Sequence, residues 1–187
     1  MTKRAFPPLF MSDADWLNNA CINQKVTHDL DLFAEGYKTA GDALVRNVVE
    51  SCSHQDTLVY PIVFLYRQHI ELRLKEIIRE GLSLLDEGQD FPKTHRLDRL
   101  WPTVKEIIEK LWPDEDVEQF GIIGHVVDEV SALDPESMSF RYPEDKCGNN
   151  PLSGLTHINL RHLSEMIDEV YNLLFGVSAA ISEYRDA

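Results

Sequence analysis

The sequence predicts an all-α fold: an up-and-down helical bundle of five to six helices with one long ordered loop before the last helix. Apolar residues recur at spacings of three and four through several long segments, as they do on the buried face of a helix. The link at 51–55 between the first two long segments is short, which is typical of antiparallel neighbouring helices. We expect an amino-terminal arm at 1–11 and a single helical domain at 12–187.

The segment 60–85 is predicted to be the central helix, because apolar residues occupy most of its circumference. We expect Asp56 or Thr57 to cap it and Pro61 to fall in its first turn, where a missing amide costs no hydrogen bond. Four core positions are predicted, three on this helix and one on the last helix: Ile70, Leu74, Ile77 and Leu163.

The other helices are bounded by capping residues and by helix breakers. A short link joins the helix at 29–52 to the central helix, so these two should form an antiparallel hairpin. The remaining predicted helices are a short one from Ser12 or Asp13, one capped by Thr94 and kinked or split at Pro102, one from Asp114 or Asp116 to 133, and one over 157–184.

The segment 134–156 has three prolines, two glycines and no helical period. A loop of this length in a small domain is either disordered or functional. Met138, Phe140 and Tyr142 alternate in it, which favours a short strand or hairpin with one apolar face. We expect an ordered flap that closes on the central helix near Tyr66 and Ile70.

Composition narrows the class of protein. The chain has 187 residues, a net charge of −14 and three widely spaced cysteines, Cys21, Cys52 and Cys147. Widely spaced cysteines, odd in number, are typical of reduced thiols in a cytoplasm. The sequence also has no secretion signal and no apolar run long enough to cross a bilayer. We therefore expect a cytoplasmic protein that does not enter a membrane. The negative charge makes bulk binding to DNA unfavourable, although a local basic site would still be compatible with it.

Three stretches resemble bacterial members of the HEPN superfamily: FLYRQHIELRLKEII at 64–78, THRLDRLW at 94–101 and DPESMSFRYP at 134–143. The resemblance covers roughly 58–161 and implies an all-α up-and-down bundle that forms a homodimer. That superfamily includes metal-independent ribonucleases, toxins of toxin–antitoxin pairs, phage-defence effectors and inactive RNA-binding relatives.

The sequence departs from the ribonuclease motif of that superfamily, an arginine followed after four to six residues by a histidine. The nearest pair, Arg46 and His54, has seven intervening residues. His157 and Arg161 stand where the motif is expected, in reverse order. On a helix they would share a face and could grip a phosphate or cleave RNA. The alternative is an ordinary exposed first turn.

Phe140, Arg141 and Tyr142 are candidate ligand-binding residues, because an arginine between two aromatic residues resembles a platform on which bases stack. In the alternative interpretation, the aromatic residues pin the loop and Arg141 forms an ion pair with Glu71.

Arg67, Glu71 and Lys75 follow one another at steps of four on the central helix. We interpret them as a buried charged network that could also contribute to a ligand site, since unpaired charges at that depth would be costly. No Glu-x-x-His pair, glycine-rich phosphate loop or dinucleotide motif occurs, so neither a metal nor a cofactor is expected.

These observations together predict a HEPN-like cytoplasmic module linked to RNA, phage defence or stress response. We expect it to act by binding RNA, a nucleotide or a protein partner. The alternatives are a metal-independent endoribonuclease that uses His157 and Arg161, and a purely structural or interaction bundle. The sequence leaves open whether the protein is an enzyme.

Overall fold

The computed structural model describes residues 8–22, 30–88, 90–114 and 116–186. Within these ranges the chain contains five α-helices and no β-strand, so the predicted all-α class is confirmed. The helices are α1 (Leu30–Ser51), α2 (Gln55–Leu84), α3 (Leu97–Leu111), α4 (Gly121–Leu133) and α5 (Leu160–Asp186).

Helix α2 is the centre of the bundle and packs against α1, α3 and α5. Its side chains Ile70, Leu74 and Ile77 are fully buried, as predicted. Leu163 of α5 is only partly buried and packs at the edge of the core. Most of the apolar surface of α2 is therefore covered by neighbouring helices, which makes it the helix on which the core depends.

Close contacts at two glycines explain how tightly α2 packs. A β-carbon at Gly41 of α1 would lie 2.7 Å from the ring of Tyr66, and one at Gly81 of α2 would overlap Cγ2 of Ile107 in α3. Glycine at these positions lets α1 and α3 approach α2 more closely than any larger residue would allow.

The start of α2 differs from the prediction. The helix begins at Gln55, and His54 is the N-cap residue, with a left-handed φ of 67° and no side-chain capping bond. Neither Asp56 nor Thr57 caps the helix, and the Thr57 hydroxyl instead donates to the His54 carbonyl at 3.1 Å. Pro61 consequently lies inside the helix. The chain reverses direction within the three-residue link between α1 and α2, where Cys52 and His54 have positive φ. Helix α2 therefore starts before the two residues that were predicted to cap it.

The predicted helix boundaries around α3 and α4 are partly correct. Thr94 does not cap α3, because its hydroxyl oxygen accepts the N–H of Arg96, the N-cap residue, at 3.1 Å. Helix α3 is one element across Pro102, so the predicted split does not occur. Asp116 does act as a cap, for a 3-10 turn that leads directly into α4.

The last helix begins later than predicted. The side chain of Asn159 accepts the N–H groups of Arg161 and His162, each at 3.1 Å. This is the bonding pattern of an N-cap. His157 therefore lies in the segment that precedes α5.

The predicted amino-terminal helix is wrong where the structure describes that segment. Instead of a helix from Ser12 or Asp13 there is one 3-10 turn, Trp16–Asn18. In the described part of the arm, Leu9 and Phe10 are exposed. The arm's other apolar residue, Phe6, lies outside the described residues.

The loop 134–156 is a series of turns, and the predicted strand or hairpin is wrong. The carbonyl of Met138 accepts the N–H groups of Arg141 and Tyr142 at 3.0 and 3.1 Å. This tight turn breaks the alternation of the three apolar side chains, because alternation requires extended backbone. Only Phe140 is buried, whereas Met138 and Tyr142 are exposed.

Among the helices of the described ranges, none combines the length and the apolar composition needed to cross a membrane.

Candidate functional site

An open cleft of about 760 Å³ lies between the start of α2 and the segments on either side of the loop's middle. Its walls come from residues 55–60, 139–143 and 150–158. Three of the predicted ligand-binding residues, Phe140, Arg141 and Tyr142, line it together with His157. The fold therefore brings two separate sequence predictions into one depression.

Arg141 carries the positive charge of this cleft. Its guanidinium group lies 5.5 Å from the ring centre of Phe64 and 5.4 Å from that of Tyr142. One of its nitrogens contacts the Met138 sulfur at 3.3 Å. Within the part of the chain that the structure describes, no carboxylate lies within ion-pair distance of Arg141. An arginine held by aromatic rings keeps its hydrogen-bonding edge available for an anion.

The predicted ion pair between Arg141 and Glu71 is wrong. Glu71 is buried on α2 and takes its hydrogen bonds from Arg67, Lys75 and His95. Both of its oxygens accept hydrogen bonds from these donors, and Arg141 lines the cleft instead.

The aromatic residues of the cleft have different roles. Phe140 is buried and pins the loop, as one of the two predicted interpretations required. Tyr142 is 49% exposed and Tyr60 of α2 is 48% exposed, so about half of each side chain is accessible. Base-stacking platforms use such partly exposed rings. Tyr60 was not predicted as a site residue, because its place in the apolar pattern of α2 marks it only as part of the helix.

His157 and Arg161 line different depressions. His157 faces the main cleft, while Arg161 lies in the first turn of α5 and lines a groove of about 300 Å³ with Val48 and Val49 of α1. The prediction that the pair shares a helix face is wrong because α5 begins only at Leu160.

The predicted buried network of Arg67, Glu71 and Lys75 is confirmed. Arg67 Nη1 lies 3.0 Å from one oxygen of Glu71, and Lys75 Nζ lies 2.7 Å from the other. His95 Nδ1 is 2.9 Å from that second oxygen. Burial by itself raises the pKa of Glu71, but the donors Lys75, His95 and Arg67 outweigh burial and lower it. Glu71 is thus held as a carboxylate.

Two members of this network, His95 and Asp134, were not predicted from the sequence. Asp134 is buried after the end of α4, with its Oδ2 3.5 Å from Arg67 Nε. His95 is mostly exposed and covers Glu71 from the loop before α3. Both residues stand at the start of the stretches that carry the family resemblance, but no spacing rule connects them with α2.

A second polar cluster joins α1, α2 and α5. Lys38 is buried with its Nζ 2.7 Å from Asp42 and 2.6 Å from Asp168. The Tyr66 hydroxyl lies 2.9 Å from Asp42 and 3.0 Å from Ser164, and burial raises its pKa. Because these hydrogen bonds and ion pairs connect three helices, we assign the cluster to helix packing.

Arg73 and His69 extend the same helix-packing contacts. Arg73 is buried and forms ion pairs with Asp31, Glu35 and Glu76. The His69 Nδ1 donates to the Ala34 carbonyl at 2.9 Å, which places the proton on that nitrogen. Burial lowers the His69 pKa to about 4, so the imidazole is neutral in the folded protein at physiological pH.

Within the residues that the structure describes, His, Cys, Asp and Glu side chains form no group of three or more that could hold a metal ion.

Comparisons with protein-family models, with curated proteins and with solved structures find no match to this chain.

Proposed function

We propose that this protein is a HEPN-like cytoplasmic module that binds single-stranded RNA or a nucleotide in the cleft of Arg141. The observation that carries the proposal is the convergence of an aromatic-held arginine, an exposed tyrosine and His157 in one open depression. These side chains supply the two contacts that single-stranded nucleic acid requires, a cation for phosphate and a flat ring for a base.

The charge of the protein limits what this cleft can hold. With a net charge of −14, the chain repels a long polyanion, and Asp56 adds a carboxylate to one wall of the cleft. A single nucleotide or a short single strand carries few phosphates, so the negative charge of the protein repels it less than it repels a long polyanion. We therefore propose a short ligand, consistent with a role in RNA-linked stress or phage defence.

The proposal is tested by fluorescence anisotropy with a labelled eight-nucleotide single-stranded RNA and with labelled nucleotides at low salt. Arg141→Ala should weaken binding by about tenfold or more, because a charge-assisted hydrogen bond contributes roughly 1.5–3 kcal/mol. Arg99→Ala removes the same charge from an exposed position on α3, outside both grooves, and should change the affinity little.

Three outcomes would contradict the binding proposal. If wild-type protein does not change the anisotropy of the labelled RNA, or of a labelled nucleotide at millimolar concentration, the binding proposal is overturned. A structural or protein-binding bundle would then be favoured. Equal losses in Arg141→Ala and Arg99→Ala would show that binding depends on overall charge and not on the cleft. RNA cleavage in EDTA that is abolished by His157→Ala and Arg161→Ala would favour the endoribonuclease.

We also propose that the protein forms a homodimer. The described helices leave large aromatic side chains on the surface, among them Phe33 of α1 at 59% exposure and Phe175 of α5 at 49%. Exposed apolar surface of this kind favours self-association. Sedimentation velocity at high micromolar concentration should show a dimer that the double substitution Phe33→Ser and Phe175→Ser dissociates. A single 21.5 kDa monomer in the wild type would contradict the proposal.

A further inference from the structure

We propose that Asp134 and Arg67 are positioning residues that hold residues 137–142 in the conformation required for binding and thereby set the affinity of the cleft. The inference rests on the proposed function for its ligand. Its structural basis is a set of hydrogen bonds between the buried network and the loop.

The first step is the contact between Asp134 and the loop. Asp134 is 2% exposed, and its Oδ1 accepts the N–H groups of Met138 at 2.6 Å and Ser139 at 2.9 Å. These amides directly precede Phe140 and Arg141 in the chain, and Ser139 itself lines the cleft. A single carboxylate oxygen therefore determines where the backbone enters the cleft wall.

The second step is the contact between Arg67 and Asp134. The Nε of Arg67 donates to the Asp134 carbonyl at 3.1 Å, and Nη2 donates to the His95 carbonyl at 2.5 Å and to the Pro135 carbonyl at the longer distance of 3.4 Å. On its other side the same guanidinium group is paired with Glu71. Because a guanidinium group is planar and rigid, this arrangement fixes the loop relative to α2 in direction as well as in distance.

The backbone of the loop is held away from its relaxed conformation. Ser137 has a φ of 61°, in the left-handed region that a non-glycine residue adopts at some cost. Among the described residues the Ser137 hydroxyl oxygen is buried without a hydrogen-bond partner, whereas Asp134 Oδ2 lies within ion-pair distance of Arg67 Nε, at 3.5 Å. A buried hydroxyl group without a partner lowers stability, so other contacts must hold the loop in this conformation, and those of Asp134 and Arg67 are in place to do so.

Two substitutions at one position separate geometry from charge. Asp134→Ala removes the acceptor, whereas Asp134→Asn keeps a carbonyl oxygen for Met138 and Ser139 but removes the charge and places an NH2 group where Oδ2 lies beside Arg67 Nε. Glu136→Ala is the matched control, because that side chain is exposed in the same loop and forms a long ion pair with Arg96, at 3.6 Å. Amide hydrogen exchange of a peptide covering 134–142 reports loop order, and anisotropy with the labelled RNA reports affinity.

Asp134→Ala should raise exchange at Met138 and Ser139 by about tenfold or more, as expected for a lost hydrogen bond to a charged group. It should weaken RNA binding by a similar factor although Arg141 is unchanged. Asp134→Asn should restore most of both properties, and Glu136→Ala should leave both at wild-type values. If Asp134→Ala does not fold, Arg67→Lys replaces it, since lysine keeps the charge beside Glu71 but cannot donate to both carbonyls at once.

Unchanged exchange in Asp134→Ala would overturn the inference, as would increased exchange with wild-type affinity for RNA. If wild-type protein binds no RNA, the proposed function fails while the exchange comparison still decides whether Asp134 holds the loop.

Discussion

Glu71→Gln is expected to lower the free energy of unfolding by about 3–5 kcal/mol, the usual cost of removing one member of a buried ion pair. Glutamine has nearly the same shape as glutamate, so the loss comes from charge rather than from a cavity. Arg67 and Lys75 would remain buried with no carboxylate on α2 to pair with them. The NH2 group of glutamine would also face an N–H donor of Arg67 or Lys75, where glutamate has an acceptor oxygen. Urea denaturation followed by circular dichroism measures the change.

An exposed glutamate on a neighbouring helix is the control for this substitution. Glu109→Gln removes the same charge from an exposed position on α3 and should change stability by no more than about 0.5 kcal/mol. Equal effects of the two substitutions would show that Glu71 is not a buried charge partner.

The pH dependence of the Glu71→Gln effect follows from the lowered pKa of Glu71. A carboxyl group whose folded pKa lies below its unfolded value stabilises the protein above the unfolded value. That stabilisation is lost as the pH falls through the folded value. The difference in stability between wild type and Glu71→Gln should therefore be largest near neutral pH and shrink under acid conditions.

Leu74→Ala is expected to lower the free energy of unfolding by about 2–5 kcal/mol. Leu74 is fully buried in the middle of α2, where the surrounding helices cannot collapse freely into the space left by the deleted atoms. Leu133→Ala removes the same atoms at the exposed end of α4, where the side chain is 37% exposed. This control should cost less than about 1 kcal/mol. A loss below that value for Leu74→Ala would place it outside the core.

Local periodicity determined much of the bundle in advance. The predicted helices at 29–52 and 60–85 correspond to α1 and α2, and Ile70, Leu74 and Ile77 are in the core. These predictions succeed because residues three and four apart share a helix face whatever else the chain does. By the same rule Arg67, Glu71 and Lys75 form one row along the helix, so their network could also be predicted from the sequence.

Helix ends were harder to predict, because several residues near each end can act as caps. At α5 the side chain of Asn159 takes the role, which leaves His157 outside the helix and separates it from Arg161. At α2 the backbone of His54 makes the turn, and the nearby Asp56 and Thr57 do not cap it. A shift of a few residues changes which side chains share a face, so the predicted catalytic pair was lost.

The sequence by itself determined the all-α class, the central place of α2 and the row of charges along that helix, since each depends on residues within a few turns of one another. Only the tertiary structure decided that Asp134 and His95 complete the buried network, that Arg141 turns toward Phe64 and away from Glu71, and that His157 joins Arg141 in one cleft. These contacts join loops that are distant in sequence. Their geometry depends on how the helices pack, and no local spacing rule describes that packing.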